Sequence, residues 1–458
     1  MQTNVIVLAA GKGTRMRSNR AKVLHCIGGQ AMISHVLNAS LNLQPSSVGV
    51  VLGHQADAIE NHIGKTDSRI LRVDQLEQKG TGHAVQIAVA ALPDSAVTLV
   101  VYGDVPLIQK QTLEAAIAAA AKGNVGLVTA VFADPAQLGR IVRNVEGDIQ
   151  RIVEFKDASP SERDICEINS GILAAPTHLL KSWLDEIRPN NQQGEYYLTD
   201  IIAMAVADGV AIDGIFASSP VEVSGVNDRI QLAQLERAYQ QHRVHALMLD
   251  GVSFADPDRV DIRGRLRVGC DCFIDINVIF EGDVTLEDNV HIGSNSVIID
   301  SSLGDGVQVK SNTIVQGAVV ARGCELGPFA RIRPGTELGS GVKVGNFVEI
   351  KKSKLAAGVK AGHLTYLGDA TIGADCNIGA GTVTCNYDGI NKYPTIIGER
   401  VFVGTNSTLV APLAIGDEAF IAAGSTITKK VDNRDLAVGR GKQRNISGWV
   451  SPVRRDNQ

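Results

Sequence analysis

A short segment near the N-terminus has the residue types of a phosphate-binding loop. It runs Gly11, Lys12, Gly13, Thr14, Arg15 directly after an apolar stretch. Two glycines let backbone amides approach an anion, and the two cations can neutralise phosphate charge. The segment matches neither the Walker A pattern nor G-x-G-x-x-G. Spacing alone therefore leaves both a phosphate loop and an ordinary glycine-containing turn open.

A carboxylate stands where another apolar run ends. Tyr102, Gly103 and Asp104 follow the stretch from Thr98 to Val101. A carboxylate at the end of a strand suits Mg²⁺, which takes one or two oxygen ligands together with substrate phosphates. An aspartate that caps the next turn explains the motif equally well.

Other polar residues of this half could touch a nucleotide. Gln75 and the turn at Gly80, Thr81 and Gly82 could recognise a base through amide and backbone hydrogen bonds. Lys22 could add a positive charge. Each of these features taken alone is also typical of an ordinary surface.

His363 is the candidate for acid–base chemistry in the second half. A metal role is disfavoured because no histidine cluster and no C-x-x-C motif occurs. A core histidine and a general base remain. A neutral imidazole near pH 7 suits removal of a proton from an attacking nucleophile.

The elements that position the first group belong to an α/β domain. Before residue 250, β-branched runs alternate with helical periodicity: strands are predicted at Val5 to Leu8, Val48 to Leu52, Val97 to Tyr102 and Val125 to Phe132, and helices at Ala84 to Ala91 and Thr112 to Lys122. The alternation predicts βαβ units on a mostly parallel, Rossmann-like sheet with its chemistry in the loops after the strands. The segment from Asn227 to about Met248 is charged and favours helix, and we predict that it forms a connecting helix.

Beyond Asp250 the sequence repeats with a period of six. Steps from Ile262 land on 27 apolar residues out of 27, against a 44% apolar background, with five-residue slips after Ile298, Ala321, Ile350 and Leu367. This predicts a parallel β-helix in which each of three faces per coil contributes one interior side chain. The rhythm fails between Ile378 and Ile397, where the stretch from Thr384 to Pro394 is predicted to be an ejected loop.

Eighteen residues would make one coil, and coils stack about 4.8 Å apart. Such a prism is too thin for an internal cavity, so its sites must lie on faces or between copies. Arg333 and Lys351 each follow an interior residue and stand one coil apart. They would repel each other unless an anion lies between them, although two solvated cations that lean apart are the alternative.

Composition excludes several protein classes. The chain has 458 residues, enough for two or three domains, with 44% apolar and 20% charged residues, which excludes a disordered chain. A formal charge of −5 gives no bulk attraction to nucleic acid or an anionic membrane. Seven cysteines, an odd number, favour a reducing cytoplasm. We expect no signal peptide, no membrane insertion and no nucleic-acid partner.

Taken together, the motifs LAAGKGTRM, Lys22 before Val23 and Leu24, Gln75 with GTGHA, and YGD resemble the sugar-phosphate nucleotidyltransferases. Joined to a hexapeptide repeat, the whole chain is similar to the bacterial bifunctional family of N-acetylglucosamine-1-phosphate uridylyltransferases and glucosamine-1-phosphate N-acetyltransferases. The resemblance implies acetylation of glucosamine 1-phosphate by acetyl-CoA, then transfer of UMP from UTP with release of pyrophosphate. It also implies a supply of peptidoglycan and lipopolysaccharide precursors.

The resemblance implies a residue set for the N-terminal site, in which Lys22 is catalytic and Asp104 and Asn227 bind Mg²⁺. The residues implied for UTP and UDP-N-acetylglucosamine are Leu8, Ala9, Gly11, Gly13, Arg15, Lys22, Gln75, Gly80, Thr81, Tyr102, Gly103, Asp104, Gly139, Glu154, Asn169, Thr199 and Asn227. Ala21 stands where the family usually has Pro, which bears on the rigidity of the loop.

For the second site the resemblance implies His363 as the catalytic base. The implied glucosamine 1-phosphate residues are Arg333, Lys351, Tyr366, Asn377 and Lys392, and the implied acetyl-CoA residues are Ala380, Asn386, Tyr387, Thr405, Ala423 and Arg440. The family's coil is left-handed, against the usual crossover preference. A site between copies implies a homotrimer. The expected domains are residues 1–228, a linker helix 229–249, and residues 250–458.

Two other readings of the sequence remain. The β-helix could be a structural or regulatory trimerisation module, but a scaffold has no need of the polar set Arg333, Lys351, His363, Asn386, Tyr387 and Lys392. A pure scaffold would make Lys22, Asp104 and Asn227 accidental.

Overall fold

The computed structural model describes residues 2–64 and 67–451. The chain divides into two compact units, which separate between Gln241 and His242. No helix within the described ranges is long and apolar enough to cross a membrane.

The first unit is built on a nine-stranded sheet. Strands of this unit are β1 (Thr3–Leu8), β2 (Cys26–Ile27), β3 (Gln30–Ala31), β4 (Ser47–Leu52), β5 (Ile70–Asp74), β6 (Val97–Tyr102), β7 (Val125–Val131), β8 (Arg140–Arg143), β9 (Ile149–Val153), β10 (Glu167–Pro176) and β11 (Ile212–Phe216). The sheet order is β11-β7-β10-β6-β1-β4-β5, with β8 and β9 attached beside β10, while β2 and β3 form a separate hairpin. Only β10 runs antiparallel to its neighbours in the main path, so the predicted mostly parallel sheet is confirmed.

Helices cover both faces of this sheet. They are α1 (Met32–Leu41), α2 (Ala56–Ile63), α3 (Thr81–Ala91), α4 (Lys110–Ala121), α5 (Pro160–Arg163), α6 (Thr177–Glu186) and α7 (Asp200–Ala207), with 3-10 turns at Thr14–Met16, Lys22–Leu24 and Pro220–Val223. The helix α8 (Arg229–Leu249) begins in the first unit and ends in the second, which has a 3-10 turn at Pro257–Arg259. The central strand β1 is buried on both sides: Val5 and Val7 pack into one core and Ile6 into the other. A strand buried on both faces reads as a continuous apolar run, which explains the sequence signal.

The second unit is a parallel β-helix. One face carries Ser253–Phe254, Phe273–Ile274, His291–Ile292, Gln308–Val309, Glu325–Leu326, Lys343–Asn346, Lys360–His363, Asn377–Ile378, Phe402–Val403, Phe420–Ile421 and Leu436–Ala437. The other faces carry Val260–Val268, Val278–Leu286, Val297–Ile299, Ser302–Leu303, Ile314–Gln316, Ala318–Val320, Arg331–Ile332, Thr336–Leu338, Glu349–Lys351, Lys354–Leu355, Tyr366–Gly368, Ala370–Ile372, Val383–Cys385, Thr395–Ile397, Thr408–Val410, Leu413–Ile415 and Thr426–Ile427.

Coils of this rod contain 17 or 18 residues. Ile332 pairs with Ile350, 18 positions further on, whereas Ile298 pairs with Val315, 17 positions further on. A coil of 17 residues contains one five-residue step in place of a six-residue step, which explains the slips seen in the sequence.

The predicted interior positions are confirmed with two exceptions. All 27 are buried except Val268 and Ala321, which are only partly buried. At Ala321 the prediction is wrong, because the neighbouring Val320 fills the interior instead. The five-residue step therefore comes one step earlier in the series than predicted. The five-residue step lies between Val315 and Val320, and Val320 pairs with Leu338.

The ejected loop is confirmed, except that its first two predicted residues, Thr384 and Cys385, lie in the strand Val383–Cys385. Pairing jumps 25 positions, from Ile378 to Val403, where the neighbouring coils need 17 or 18. The interior series continues one step into this stretch at Thr384, which is 1% exposed. Because threonine is not apolar, a search for apolar residues misses it. An antiparallel bridge between Tyr387 and Lys392 closes the loop.

Candidate active sites

The predicted phosphate loop connects β1 to the 3-10 turn Thr14–Met16. Gly13 begins that turn with φ +58°, a left-handed conformation that glycine adopts without strain. A Cβ here would lie 2.7 Å from the Cβ of Lys22, so a larger residue would push the lysine away. Met16 is 1% exposed and anchors the turn. The other expected loop residues lie on the same connection, with Leu8 and Ala9 at the end of β1 and Gly11 and Arg15 exposed.

Lys22, Asp104 and Asn227 come together although they are distant in sequence. The Lys22 ammonium forms an ion pair with Asp104 and donates a hydrogen bond to Asn227 Oδ1 at 3.3 Å. The backbone joins the same groups, since Val226 N donates to Asp104 O at 3.0 Å. Asp104 follows β6, at the carboxyl edge of the sheet, where ligands of such folds bind.

These groups fit a magnesium ion. Asp104 and Asn227 offer a carboxylate and an amide oxygen, and the Lys22 ammonium already occupies the space between them as a cation. Within residues 2–64 and 67–451 no group of three or more His, Cys, Asp or Glu side chains could hold a metal. Mg²⁺ suits a donor set of this size because it takes its remaining ligands from phosphates and water.

Tyr102 and Gly103 connect this cluster to the rest of the site. Burial raises the pKa of Tyr102, and the Asp104 and Glu154 carboxylates raise that pKa further. The phenol is therefore neutral and able to donate a hydrogen bond. Gly103 N donates to Leu8 O at 2.9 Å, which holds the end of β6 against the phosphate loop.

The expected base-binding residues form a second cluster. Gln75 follows β5 and is 4% exposed. Its Nε2 lies 3.2 Å from Gly80 O and 3.3 Å from His83 Nδ1. Thr81 begins α3, and its hydroxyl oxygen accepts from Leu198 N at 3.2 Å. The structure thus brings the three expected residues together.

The expected sugar-binding residues form a third cluster. Asn169 N donates to Gly139 O at 2.9 Å, and Thr199 Oγ1 donates to Glu154 Oε1 at 3.3 Å. Burial is the largest cause that raises the pKa of Glu154. A carboxyl of this kind can accept hydrogen bonds from sugar hydroxyls while carrying less charge than an exposed glutamate.

Sequence reasoning missed Arg140, which follows Gly139 directly. This arginine is 2% exposed. Its guanidinium donates to the carbonyl oxygens of Leu138, Ala136 at 2.9 Å and Arg163 at 3.3 Å. The buried charge therefore ties down the segment that places Gly139. The partners of Arg140 are backbone carbonyl oxygens, which do not depend on residue type, so the sequence pattern could not indicate this role.

Arg229, at the start of α8, was also missed. Its Nε donates to Met16 O at 3.3 Å, and its Nη1 lies 3.3 Å from His25 Nδ1. Burial, followed by the charge of Arg229, lowers the pKa of His25, so the imidazole is neutral and can accept. These contacts fasten the start of α8, two residues after Asn227, to the end of the 3-10 turn Thr14–Met16 and to His25.

In the β-helix, His363 has an oriented imidazole. Its register partner one coil earlier is Asn346, and the distance from His363 Nδ1 to Asn346 Oδ1 is 2.6 Å. When the amide oxygen accepts the Nδ1 proton, the lone pair of Nε2 is available to take a proton. Asn346 was not predicted, although a step of one coil back from His363 would have found it.

His363 belongs to a row of residues at one corner of the rod. Pairing of Val344 with Ala361, then Ile378, Val403 and Ile421, places the residues two positions after each in the same row. That row is Asn346, His363, Ala380, Thr405 and Ala423. Arg440 joins it through a 2.9 Å hydrogen bond from Nη1 to Ala423 O. Four expected acetyl-CoA residues thus continue the line of the imidazole.

Three cations gather on the next face. Arg333 and Lys351 stand one coil apart, as predicted, since Arg333 N donates to Ile350 O. Lys392, from the ejected loop, lowers the pKa of Lys351 most, and Arg333 lowers it further. Sequence reasoning missed Glu349, whose Oε1 lies 2.6 Å from an Arg333 nitrogen. The carboxylate offsets one of the three charges and leaves a net positive cluster.

The remaining expected residues are divided between two regions. Asn386 is buried and donates to Asp369 Oδ2 at 2.5 Å, while the Tyr387 hydroxyl donates to Gly389 O at 2.5 Å. Tyr366 lies on the strand next to Lys351. Asn377 instead lies on the first face, between Lys360 and Phe402 in the pairing, and one copy does not bring it to the cations.

Family models match both units. The MobA-like NTP transferase domain matches residues 5–205. The bacterial transferase hexapeptide (six repeats) matches residues 266–300, and the hexapeptide repeat of succinyl-transferase matches residues 394–429. The expected fold class, an α/β Rossmann-like nucleotidyltransferase domain followed by a left-handed parallel β-helix, is confirmed by these matches and the observed sheets.

Curated relatives match nearly the whole chain. Bifunctional protein GlmU of Marinobacter nauticus is 50% identical over 98% of this chain and 98% of its own length. The Stutzerimonas stutzeri protein of the same name is 51% identical over 99% and 100%, and that of Pseudomonas putida is 51% identical over 99% of each. A solved nucleotidyl transferase from Methanothermobacter thermautotroptrophicus is 22% identical, covering 53% of this chain and 99% of its own, with a TM-score of 0.37. The chain therefore belongs to the bifunctional GlmU family.

Proposed function

We propose that the protein makes UDP-N-acetylglucosamine in two steps. It acetylates glucosamine 1-phosphate with acetyl-CoA on the β-helix, and it transfers UMP from UTP to the N-acetylglucosamine 1-phosphate at the N-terminal site. The observation that carries the proposal is the presence of two built polar sites in a chain that matches bifunctional relatives from end to end. We assign residues 1–228 to uridylyl transfer, 229–249 to a connecting helix and 250–458 to acetyl transfer.

Uridylyl transfer needs positioning and charge neutralisation more than covalent catalysis. A phosphate oxygen of the sugar 1-phosphate attacks the α-phosphorus of UTP, the new P–O bond forms, and pyrophosphate leaves with the electrons of the broken bond. Lys22 and Arg15 neutralise charge on the phosphates. Asp104 and Asn227 would hold Mg²⁺, which would supply further positive charge at the reacting phosphates when bound.

Acetyl transfer needs a base. The amine of glucosamine 1-phosphate attacks the thioester carbonyl, and His363 Nε2 takes the proton that the nitrogen loses. The C–S bond breaks, and CoA leaves as a thiolate that is then protonated. Asn346 holds the imidazole through Nδ1, while Arg333, Lys351 and Lys392 attract the sugar phosphate. The row of Ala380, Thr405 and Ala423 lines the path of acetyl-CoA.

We further propose that the working form is a homotrimer in the cytoplasm. Asn377 and the cation cluster lie on different faces of one rod, so two rods side by side are needed to place them around one sugar. Phe329, Phe347 and Leu364 support such packing. They are 50%, 56% and 63% exposed and have φ between +50° and +58°, a conformation that costs an ordinary side chain about 1 kcal/mol or more.

Asp104→Asn tests the N-terminal assignment. The variant should lose Mg²⁺-dependent formation of the UDP-sugar, because one metal ligand loses its charge, while CoA release from acetyl-CoA and glucosamine 1-phosphate persists. His363→Ala is the reciprocal variant, which should lose acetyl transfer and keep uridylyl transfer. Equal loss of both activities in either variant would mean that the sites are not separate.

The alternative function, a β-helix that serves only as a trimerisation module, is tested by the same assay. It requires that the wild-type protein release no CoA beyond the rate without enzyme. Light scattering after size-exclusion chromatography tests the trimer. A monomer that is fully active in acetyl transfer would contradict it.

A further inference from the structure

The Gln75 side-chain amide is held in one of its two possible orientations. Its Nε2 lies 3.2 Å from the carbonyl oxygen of Gly80, and a carbonyl oxygen can only accept a hydrogen bond. The nitrogen end of the amide must therefore face Gly80. Rotating the amide by half a turn would place two acceptor oxygens against each other.

His83 adds a second constraint on the same nitrogen. Gln75 Nε2 lies 3.3 Å from His83 Nδ1. Since an amide nitrogen can only donate, Nδ1 accepts and the ring proton resides on Nε2. With the nitrogen end committed to these two acceptors, the amide presents Oε1 on its other side as an acceptor.

The segment that carries Tyr196 lies beside the ring of His83. His83 lies in the first turn of α3, and its ring centroid is 6.3 Å from that of Tyr196. Tyr196 O accepts from Gly82 N at 2.8 Å, and Tyr196 N donates to Lys79 O at 2.8 Å. The segment that carries Tyr196 is thus tied to both sides of the turn before α3.

We propose that His83 is a positioning residue that sets the base selectivity of uridylyl transfer. It keeps Gln75 Oε1 toward the nucleotide, where this oxygen accepts from the imide N–H of uracil or thymine. Cytosine carries an acceptor nitrogen at the same ring position, so two acceptors would face each other and CTP is disfavoured. The proposal rests on the proposed function of Gln75 in holding the base.

The test is the ratio of kcat/KM for UTP to that for CTP, measured with N-acetylglucosamine 1-phosphate. His83→Phe keeps a ring but removes the acceptor, so only the Gly80 carbonyl still orients the amide. The ratio should fall about tenfold, the effect of one hydrogen bond of about 1.4 kcal/mol. His83→Asn, whose side-chain oxygen can replace Nδ1, should retain most of the selectivity.

Gln86→Ala is the matched control. Gln86 lies on the same helix and donates to Asp185 at 3.1 Å, away from Gln75, so its ratio should equal that of the wild type. Since His83 and Gln86 lie in the first unit, UDP-sugar formation from UTP by the same samples reports whether that unit is folded in each variant. An unchanged UTP to CTP ratio in His83→Phe, or an equal loss in His83→Phe and His83→Asn, would overturn the proposal. Absence of UDP-sugar formation by the wild-type protein would instead refute the proposed function on which it rests.

Discussion

Removal of the Asn346 amide tests how His363 acts as a base. The 2.6 Å contact between Asn346 Oδ1 and His363 Nδ1 does two things. It selects the tautomer whose Nε2 can take a proton, and it stabilises the imidazolium that forms when the proton arrives. Asn346→Ala removes both effects and leaves the rest of the corner row in place.

The magnitude follows from the charge that develops on the ring. A hydrogen bond to a charged group contributes about 1.5 to 3 kcal/mol, and each 1.36 kcal/mol is about tenfold in rate. We therefore expect kcat of acetyl transfer to fall about 10- to 100-fold in Asn346→Ala. KM for glucosamine 1-phosphate should change little, because Asn346 is not among the residues that attract the phosphate.

The assay is CoA release from acetyl-CoA across a range of pH. Uridylyl transfer by the same sample is the internal control and should be unchanged. In Asn346→Asp the carboxylate favours the imidazolium, so the acid limb of the pH–rate profile should move to higher pH. If kcat in Asn346→Ala stays within twofold of the wild type, the imidazole is not oriented through Nδ1 and the reasoning is refuted.

Three further predictions concern stability. Lys392 lowers the pKa of Lys351, which means that repulsion between the two ammonium groups destabilises the fold at neutral pH. Lys351→Met should therefore have a higher melting temperature than the wild type at low ionic strength, and added phosphate should abolish the difference. Burial raises the pKa of Glu154, so the folded state loses stability as the pH rises through that pKa and the buried carboxyl ionises. Glu154→Gln should therefore have a higher melting temperature than the wild type at pH 8 and the same melting temperature at pH 4. A Cβ at Gly345 would overlap the Gly362 carbonyl oxygen; Gly345→Ala should cost about 3 kcal/mol, seen as a lower urea midpoint of the β-helix transition.

The interior of the β-helix could be predicted because one side chain per face is repeated at a fixed interval. The errors have physical causes. Val320 and Ala321 are both apolar, so the pattern could not show which of them turns inward. Thr384 is polar but small, and its hydroxyl lies 3.2 Å from Gly368 O, which makes it acceptable inside the rod.

The sites were predictable to different extents. Lys22 and Asn227 are separated by 205 positions, and only resemblance to a family connects such residues before a fold is known. Asn346 could have been found by counting one coil back from His363. Arg140 could not, because its partners are carbonyl oxygens, and every residue has one.

Among the residues that the structure describes, the strand Leu436–Ala437 is the last of the stack of coils and pairs on one side only, with Phe420–Ile421. An unpaired parallel edge is a template on which a second rod could dock end to end and begin a fibre. The last coil carries charges beside this edge, at Lys429, Lys430, Asp432, Arg434 and Asp435. Any rod that docked there would have to strip water from these charges, which disfavours growth along the axis and leaves the flanks as the surfaces for assembly.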